Sequence, residues 1–148
     1  MATKTIKQSV DIAAPRERVW DVLLKDETFR QWAAEFMEGS YAETDWQLGS
    51  KAAFLDPAGN GMIGRIVASD RPELLEISYD GQVVTGKEDF DSPEAQQFKG
   101  AREAYRLTER SGKTRLDIEA DMAETYYADM SEAWVRALAK VKELAEAG

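Results

Sequence analysis

The chain has 148 residues, neither cysteine nor histidine, and a formal net charge of −9 at pH 7. That length suits one domain with a sizeable core, burying roughly 70% of the surface its unfolded chain exposes. Disulfides, thiol nucleophiles, histidine general bases and the common tetrahedral zinc sites are excluded. The negative charge also opposes nucleic acid and anionic membranes, which are bound through clustered Lys and Arg.

No apolar run approaches the ~20 residues needed to span a bilayer, and MATKTIKQSV lacks the apolar stretch of a secretory signal. The expectation is a cytoplasmic monomer. Thr3 to Ile12 alternates, with Ile6, Val10 and Ile12 on one face and Lys7, Ser9 and Asp11 on the other, as in a half-buried strand. Pro15 then starts a helix to about Leu24, because its missing N–H is harmless in the first turn; Val19, Trp20, Leu23 and Leu24 form its apolar stripe. Asp26 is placed to cap a second short helix carrying Phe29 and Trp32.

From Gly39 to Thr85 the chain reads as an antiparallel meander, with strands at Ser40 to Trp46, Lys51 to Asp56, Met62 to Ser69 and Leu74 to Val84. Ser111-Gly112 suits a two-residue hairpin loop pairing Arg110 with Lys113. The register behind it sets Leu107 opposite Leu116 and Tyr105 opposite Ile118. On the other face it sets Arg106 against Asp117 and Arg102 against Asp121, as ion pairs of a solvated sheet surface. Between these strands, Gly86 to Gly100 is either an edge decoration or a lid, with Ser92-Pro93-Glu94 opening a short helix through about Phe98. Thr125 to Ala147 predicts a helix of about 23 residues, near 34 Å long. It is apolar at Tyr127, Met130, Trp134, Leu138, Val141 and Ala145.

The result is a single α+β domain over residues 1–148. Its order of strand, two short helices, meander and long C-terminal helix resembles the helix-grip fold of the START/Bet v 1-like (SRPBCC) superfamily. In that fold a curved antiparallel sheet of about six or seven strands wraps a long helix. IAAPRERVWDVL followed by FRQW is similar to the family's opening pattern. Trp46-Gln47-Leu48-Gly49-Ser50-Lys51 resembles its turn before the third strand, Asp70 to Leu75 its link into the fifth, and Trp134 to Leu144 its closing helix. Together these resemble the bacterial branch related to the C-terminal domain of activators of the heat-shock protein 90 ATPase.

The resemblance implies a cavity between sheet and helix, and a site there for a hydrophobic small molecule. The positions matching its wall are Trp32, Phe36, Trp46, Phe54, Ile77, Tyr79, Tyr105, Ile118, Met122, Tyr127, Met130 and Trp134, each of which is equally a core residue. Aromatic excess at Tyr126, Tyr127 and Trp134, with an adaptable Met130, marks the start of the last helix as the wetter part of the wall.

Glu103 shares the parity of Tyr105 and Leu107, which aims its carboxylate at the concave face. Its place near the strand's start favours a hydrated carboxylate at the rim. Buried instead, it orients a ligand or acts as a general acid or base with a raised pKa. Glu88, Asp89 and Asp91 form a dense acidic run whose spacing fits no calcium loop and reads as solvated. No metal or cofactor is implied. Binding of an apolar or aromatic ligand is the leading expectation. A co-chaperone-like module acting on a heat-shock protein 90 homologue is the second, and a cyclase- or dehydratase-type enzyme the third.

Overall fold

The computed structural model describes residues 3–147; of the domain expected over 1–148, Met1, Ala2 and Gly148 lie outside the described residues. The first strand, β1 (Thr3–Ile12), buries Ile6 and Ile12 on one face. Gln8 shares that inward parity, and its Nε2 donates to the Ser131 carbonyl on the C-terminal helix at 2.8 Å. Helix α1 (Arg16–Leu24) starts directly after Pro15 and buries Val19, Trp20, Val22 and Leu23. Helix α2 (Asp26–Ala33) follows and buries Phe29, Trp32 and Ala33. Its cap position is Lys25, which corrects the expected role of Asp26. Asp26 is already helical and holds Arg30 Nε at 2.9 Å, while its charge still favours the positive helix start.

The meander comprises β2 (Tyr41–Glu43), β3 (Lys51–Leu55), β4 (Gly61–Asp70) and β5 (Leu74–Val84). β2 is shorter than its sequence pattern because the chain leaves the sheet at Thr44 and turns, with Trp46 at φ 62°. This left-handed backbone is unusual for a side chain of that size. It is held from both sides: the Trp46 amide donates to Thr44 Oγ1 at 3.1 Å, and Ser69 Oγ donates to the Trp46 carbonyl at 2.9 Å.

After β5 come β6 (Lys87–Asp89), helix α3 (Pro93–Gln96), β7 (Arg102–Arg110), β8 (Lys113–Ala123), a single 3₁₀ turn over Glu124–Tyr126, and helix α4 (Tyr127–Ala147). The antiparallel sheet runs β1-β8-β7-β5-β4-β3-β2, with β6 added on β5. α4 packs against β1, α1 and α2 on the concave side. The β7–β8 register is the one the Ser111-Gly112 loop dictates, through Arg110↔Lys113, Leu107↔Leu116 and Tyr105↔Ile118. Both loop residues have positive φ, 54° and 76°, as a type I′ turn requires.

The ion pairs on the outer face differ from expectation, although the register holds. Asp117 takes Arg115 on its own strand, and Arg102 takes Glu76 on β5. Asp121 instead accepts from the Arg102 amide and the Thr5 hydroxyl. Long cations choose among several carboxylates on a solvated face, and strand register does not decide that choice.

β5 alternates buried and half-buried residues from Leu74 to Val83, yet its buried residues join two different clusters. Leu75, Ile77 and Tyr79 belong to the main core, whereas Val83 joins Ala53, Leu55 and Ile63 with Tyr41 against them. The cause is a bulge: Gly64 pairs with Tyr79 and Ile63 with Gly81, leaving Asp80 as an extra residue on β5. One inserted residue reverses which parity faces the helix.

The 86–100 segment is fastened to the sheet at both ends. Ser92 Oγ caps α3 by accepting from the Ala95 amide at 3.1 Å, as the sequence predicts. The Gly100 amide donates to the Tyr79 carbonyl at 2.9 Å, and the Tyr79 amide to the Ala101 carbonyl at 2.8 Å. Phe98 and Ala101 pack on the main core. Among the described residues, no helix is long and apolar enough to cross a membrane.

Candidate functional site

Sheet register brings three polar side chains to one patch of the concave face. Glu103 lies opposite Ile77 on β5 and Ala120 on β8, Tyr105 opposite Leu75 and Ile118, and Tyr79 opposite Gly64. Above this patch, α2 supplies Phe29 and Trp32, the turn after it supplies Phe36, and α4 supplies Trp134.

The rings touch in an unbroken series. Tyr79 meets Phe54 at 6.0 Å between centroids, Phe54 meets Phe29 at 6.1 Å, Phe29 meets Trp32 at 4.8 Å, and Trp32 meets Tyr105 at 6.4 Å. Trp134 backs the series, 6.2 Å from Trp32, 6.0 Å from Tyr105 and 4.9 Å from Phe36. Most pairs are tilted or edge-to-face, the arrangements ring quadrupoles prefer. The interior between sheet and α4 is thus packed with aromatic side chains.

Glu103 sits between the two ends of that series. The Tyr105 hydroxyl donates to Glu103 Oε2, and Tyr79 is the diagonal neighbour of Glu103 on the same face, two residues beyond its β5 partner Ile77. Burial pushes the Glu103 pKa above the ordinary carboxylate value, and the neighbouring phenols of Tyr105 and Tyr79 only partly offset it. Burial, followed by the Glu103 charge, holds both phenols well above their ordinary value, so they remain donors. The residue keeps a partly exposed flank, but the carboxylate itself is desolvated, unlike the hydrated rim acid that its strand position favoured. Among the described residues, no Lys or Arg lies within ion-pair distance of Glu103. Trp32 Nε1 is buried and has no hydrogen-bond partner.

The twelve apolar and aromatic wall candidates all fall in one cluster. Trp32, Ile77, Tyr79, Tyr105, Ile118 and Trp134 are buried in it, whereas Phe36, Trp46, Phe54, Met122, Tyr127 and Met130 are partly exposed. The partly exposed set forms the rim, which Lys4 approaches from β1, its Nζ 5.0 Å from the Tyr127 ring centre. Tyr126, by contrast, is 60% exposed and takes no part in the wall. Phe29 was missed as a wall residue, although its position three before Trp32 puts both on one helical face. The lone Trp32 N–H has no sequence signal.

Among the clefts formed by the described residues, two stand near the aromatic and acidic segments. One, of about 250 Å³, is lined by Leu24, Asp26, Phe29, Ala42, Thr44 and Trp46 and reaches the outer side of the Phe29–Trp46 contact. The other, of about 330 Å³, lies among Arg65, Asp80, Phe90, Asp91, Gln96 and Lys99, away from the aromatic series. The acidic run near it is structural: Glu88 pairs with Lys51 at 2.6 Å, and Asp89 accepts from Gln82, Ser92 and the Asp91 amide. Hydrogen bonds from Ser92 and then Gln82 hold Asp89 far below the ordinary carboxylate range. Among the described residues, no group of three or more acidic side chains is arranged to hold a metal ion.

The family described as "Activator of Hsp90 ATPase homolog 1-like protein" matches residues 13–146. Among solved structures, protein MLL2253 from Mesorhizobium loti is similar at a TM-score of 0.73 and 16% identity, covering 95% of this chain and 96% of that one. The Aha1 dimer from Colwellia psychrerythraea is similar at 0.70 and 16%, covering 97% and 96%. DynU16, from the dynemicin biosynthetic locus, is similar at 0.67 and 12%, covering 94% of this chain but 46% of that one. At these identities the likeness is one of fold, and it agrees with the helix-grip arrangement. No curated protein matches the sequence.

Proposed function

Because the chain belongs to the family of Activator of Hsp90 ATPase homolog 1-like proteins, we propose that the concave face between sheet and α4 binds one small molecule of apolar or aromatic character without transforming it. The observation carrying this reading is the unfinished polar set inside the aromatic series, an orphan Trp32 N–H and a desolvated Glu103 carboxylate. A buried polar group left unpaired costs ~1–3 kcal/mol, and more when charged. A core that serves packing alone is more stable with apolar residues at both positions. DynU16, a neighbour from a biosynthetic locus, supports small-molecule chemistry on this fold.

Entry requires side-chain movement. The adjoining cleft, about 250 Å³, is smaller than the roughly 300–1,000 Å³ of ordinary ligand pockets. Its inner wall is the Phe29–Trp46 contact, and the flexible Met122 and Met130 on the rim yield at low cost. A thermal-shift screen over lipids, flavonoids, polyketide-like aromatics and hydrophobic amines tests the reading. At 100 times the dissociation constant a ligand adds ~2.7 kcal/mol, a rise of roughly 5–11 °C at 2–4 °C per kcal/mol. Met130→Trp abolishes that shift if the site is the concave face. Flat curves throughout the screen defeat the proposal.

The family match and the Aha1 neighbour favour a second reading, in which an outer face engages a heat-shock protein 90 homologue. Retention of that homologue in a pull-down supports it, and clean absence removes it.

A further inference from the structure

Which ligand the concave site takes is decided by charge. The side chains Tyr79, Phe54, Phe29, Trp32 and Tyr105 touch in sequence, and Glu103 bonds the last of them and is the diagonal cross-strand neighbour of the first, so five rings and one carboxylate form a circuit on the concave face. We infer that this circuit is a receptor for an organic cation, an ammonium ion carried on an apolar or aromatic body. The inference rests on the binding reading above and adds the sign of the ligand's charge.

Three observations lead to it. First, the carboxylate accepts from the Tyr105 phenol and, among the described residues, has no cationic partner, although the protein pairs many of its surface acids with Lys or Arg. A phenol donates a hydrogen bond but leaves the formal charge uncompensated, and one such bond leaves most of the carboxylate's accepting capacity unused. Second, the walls are ring faces and edges. An aromatic face attracts a cation through its quadrupole, most strongly where water is excluded, and repels an anion. A neutral hydrophobe uses the rings and leaves the acid unanswered, while an anion meets both the acid and the ring faces unfavourably. Third, the net charge of −9 draws cations toward the molecule from a distance. The orphan Trp32 N–H adds a donor, which suits a cation that also bears a hydroxyl or carbonyl oxygen.

The other charged groups at this end do not change the sign. Lys4 on the β1 rim is engaged with Glu124 and the Tyr127 ring, and Arg136 on α4 with Glu35. Asp26, in the adjoining cleft, is neutralised by Arg30.

The test uses three probes on one naphthyl body: 1-naphthylmethylamine, 1-naphthalenemethanol and 1-naphthoate, titrated by calorimetry into the intact protein at pH 7. The expected order is amine, then alcohol, then acid, with the amine bound at least about tenfold tighter than the acid, equivalent to ~1.4 kcal/mol. Glu103→Gln keeps a side chain of the same shape and removes the amine's preference over the alcohol and the acid. Alcohol or acid binding as tightly as the amine in the wild-type protein overturns the inference and leaves the binding reading standing. An amine preference that survives in Glu103→Gln also overturns it. Saturable binding by none of the three overturns the inference, while the binding reading falls only with flat curves across the wider thermal-shift screen. The wild-type ranking decides the matter even if the variant does not fold.

Discussion

Truncating Trp134 to alanine removes the ring that backs the aromatic series, and its cost can be worked from its contacts. The residue is 4% exposed and lies within 6.2 Å, centroid to centroid, of Trp32, Tyr105 and Phe36. Buried Trp→Ala substitutions cost ~3–5 kcal/mol, and aromatic pairs of this kind carry ~0.5–1.5 kcal/mol each within that total. With three such pairs lost and rigid neighbours unable to close the gap, the expected loss is ~4 kcal/mol. For a chain of this length that lowers Tm by roughly 8–16 °C. Urea denaturation followed by far-ultraviolet circular dichroism measures the loss, with the slope against denaturant checked for constancy. Trp134→Phe, which keeps a ring, should cost less than half as much. A loss below ~2 kcal/mol for Trp134→Ala at unchanged slope refutes the reasoning, because it means that the ring stands in an open space rather than a packed one.

Glu103 carries a pH prediction. Its folded pKa is raised by burial, so the folded state holds the proton more tightly than the unfolded chain. Stability is therefore highest below the ordinary Glu pKa of about 4.3 and falls as pH rises from there through the folded value. The groups facing it, Tyr79 and Tyr105, stay protonated throughout that window. Urea midpoints of Glu103→Gln relative to wild type should rise across the window, and a pH-independent difference contradicts this. Trp32→Phe deletes the partnerless N–H while keeping a ring, and should cost under ~1.5 kcal/mol. A cost above ~3 kcal/mol shows that the donor is satisfied. Asp89→Ala should speed amide exchange at Asp91, Ser92 and Ala95 while α4 is unchanged, and equal protection in variant and wild type rejects the anchoring role. Asp89 has the opposite pH sense to Glu103: its support is present above the ordinary carboxylate pKa and is lost as pH falls through its depressed folded value.

Local chemistry explains which features were legible in the sequence. The Ser111-Gly112 hairpin, the α4 stripe and the Ser92 cap each follow from a turn, a period or a side-chain oxygen within a few residues. The candidate wall follows from parity and spacing, and its residues do share one cluster. Parity also aimed Glu103 inward, but not the phenol of Tyr79, which arrives from another strand. The Arg102–Glu76 pair, the bulge at Asp80 and the orphan Trp32 N–H depend on how distant segments meet, and nothing nearby in the chain encodes them.

The bulge at Asp80 has a consequence for how this protein can change. By adding one residue to β5, it separates Tyr79, which belongs to the main core, from Val83, which belongs to the Ala53, Leu55 and Ile63 cluster, within four positions of the same strand. A substitution at Tyr79 therefore meets the packing of the main core, and one at Val83 the packing of the second cluster. Drawing Asp80 into the ladder as an ordinary strand residue would merge the two, because Val83, four positions after Tyr79, would then turn toward the rings. A single irregular residue thus lets one continuous strand serve two separate packed clusters on opposite faces of the sheet.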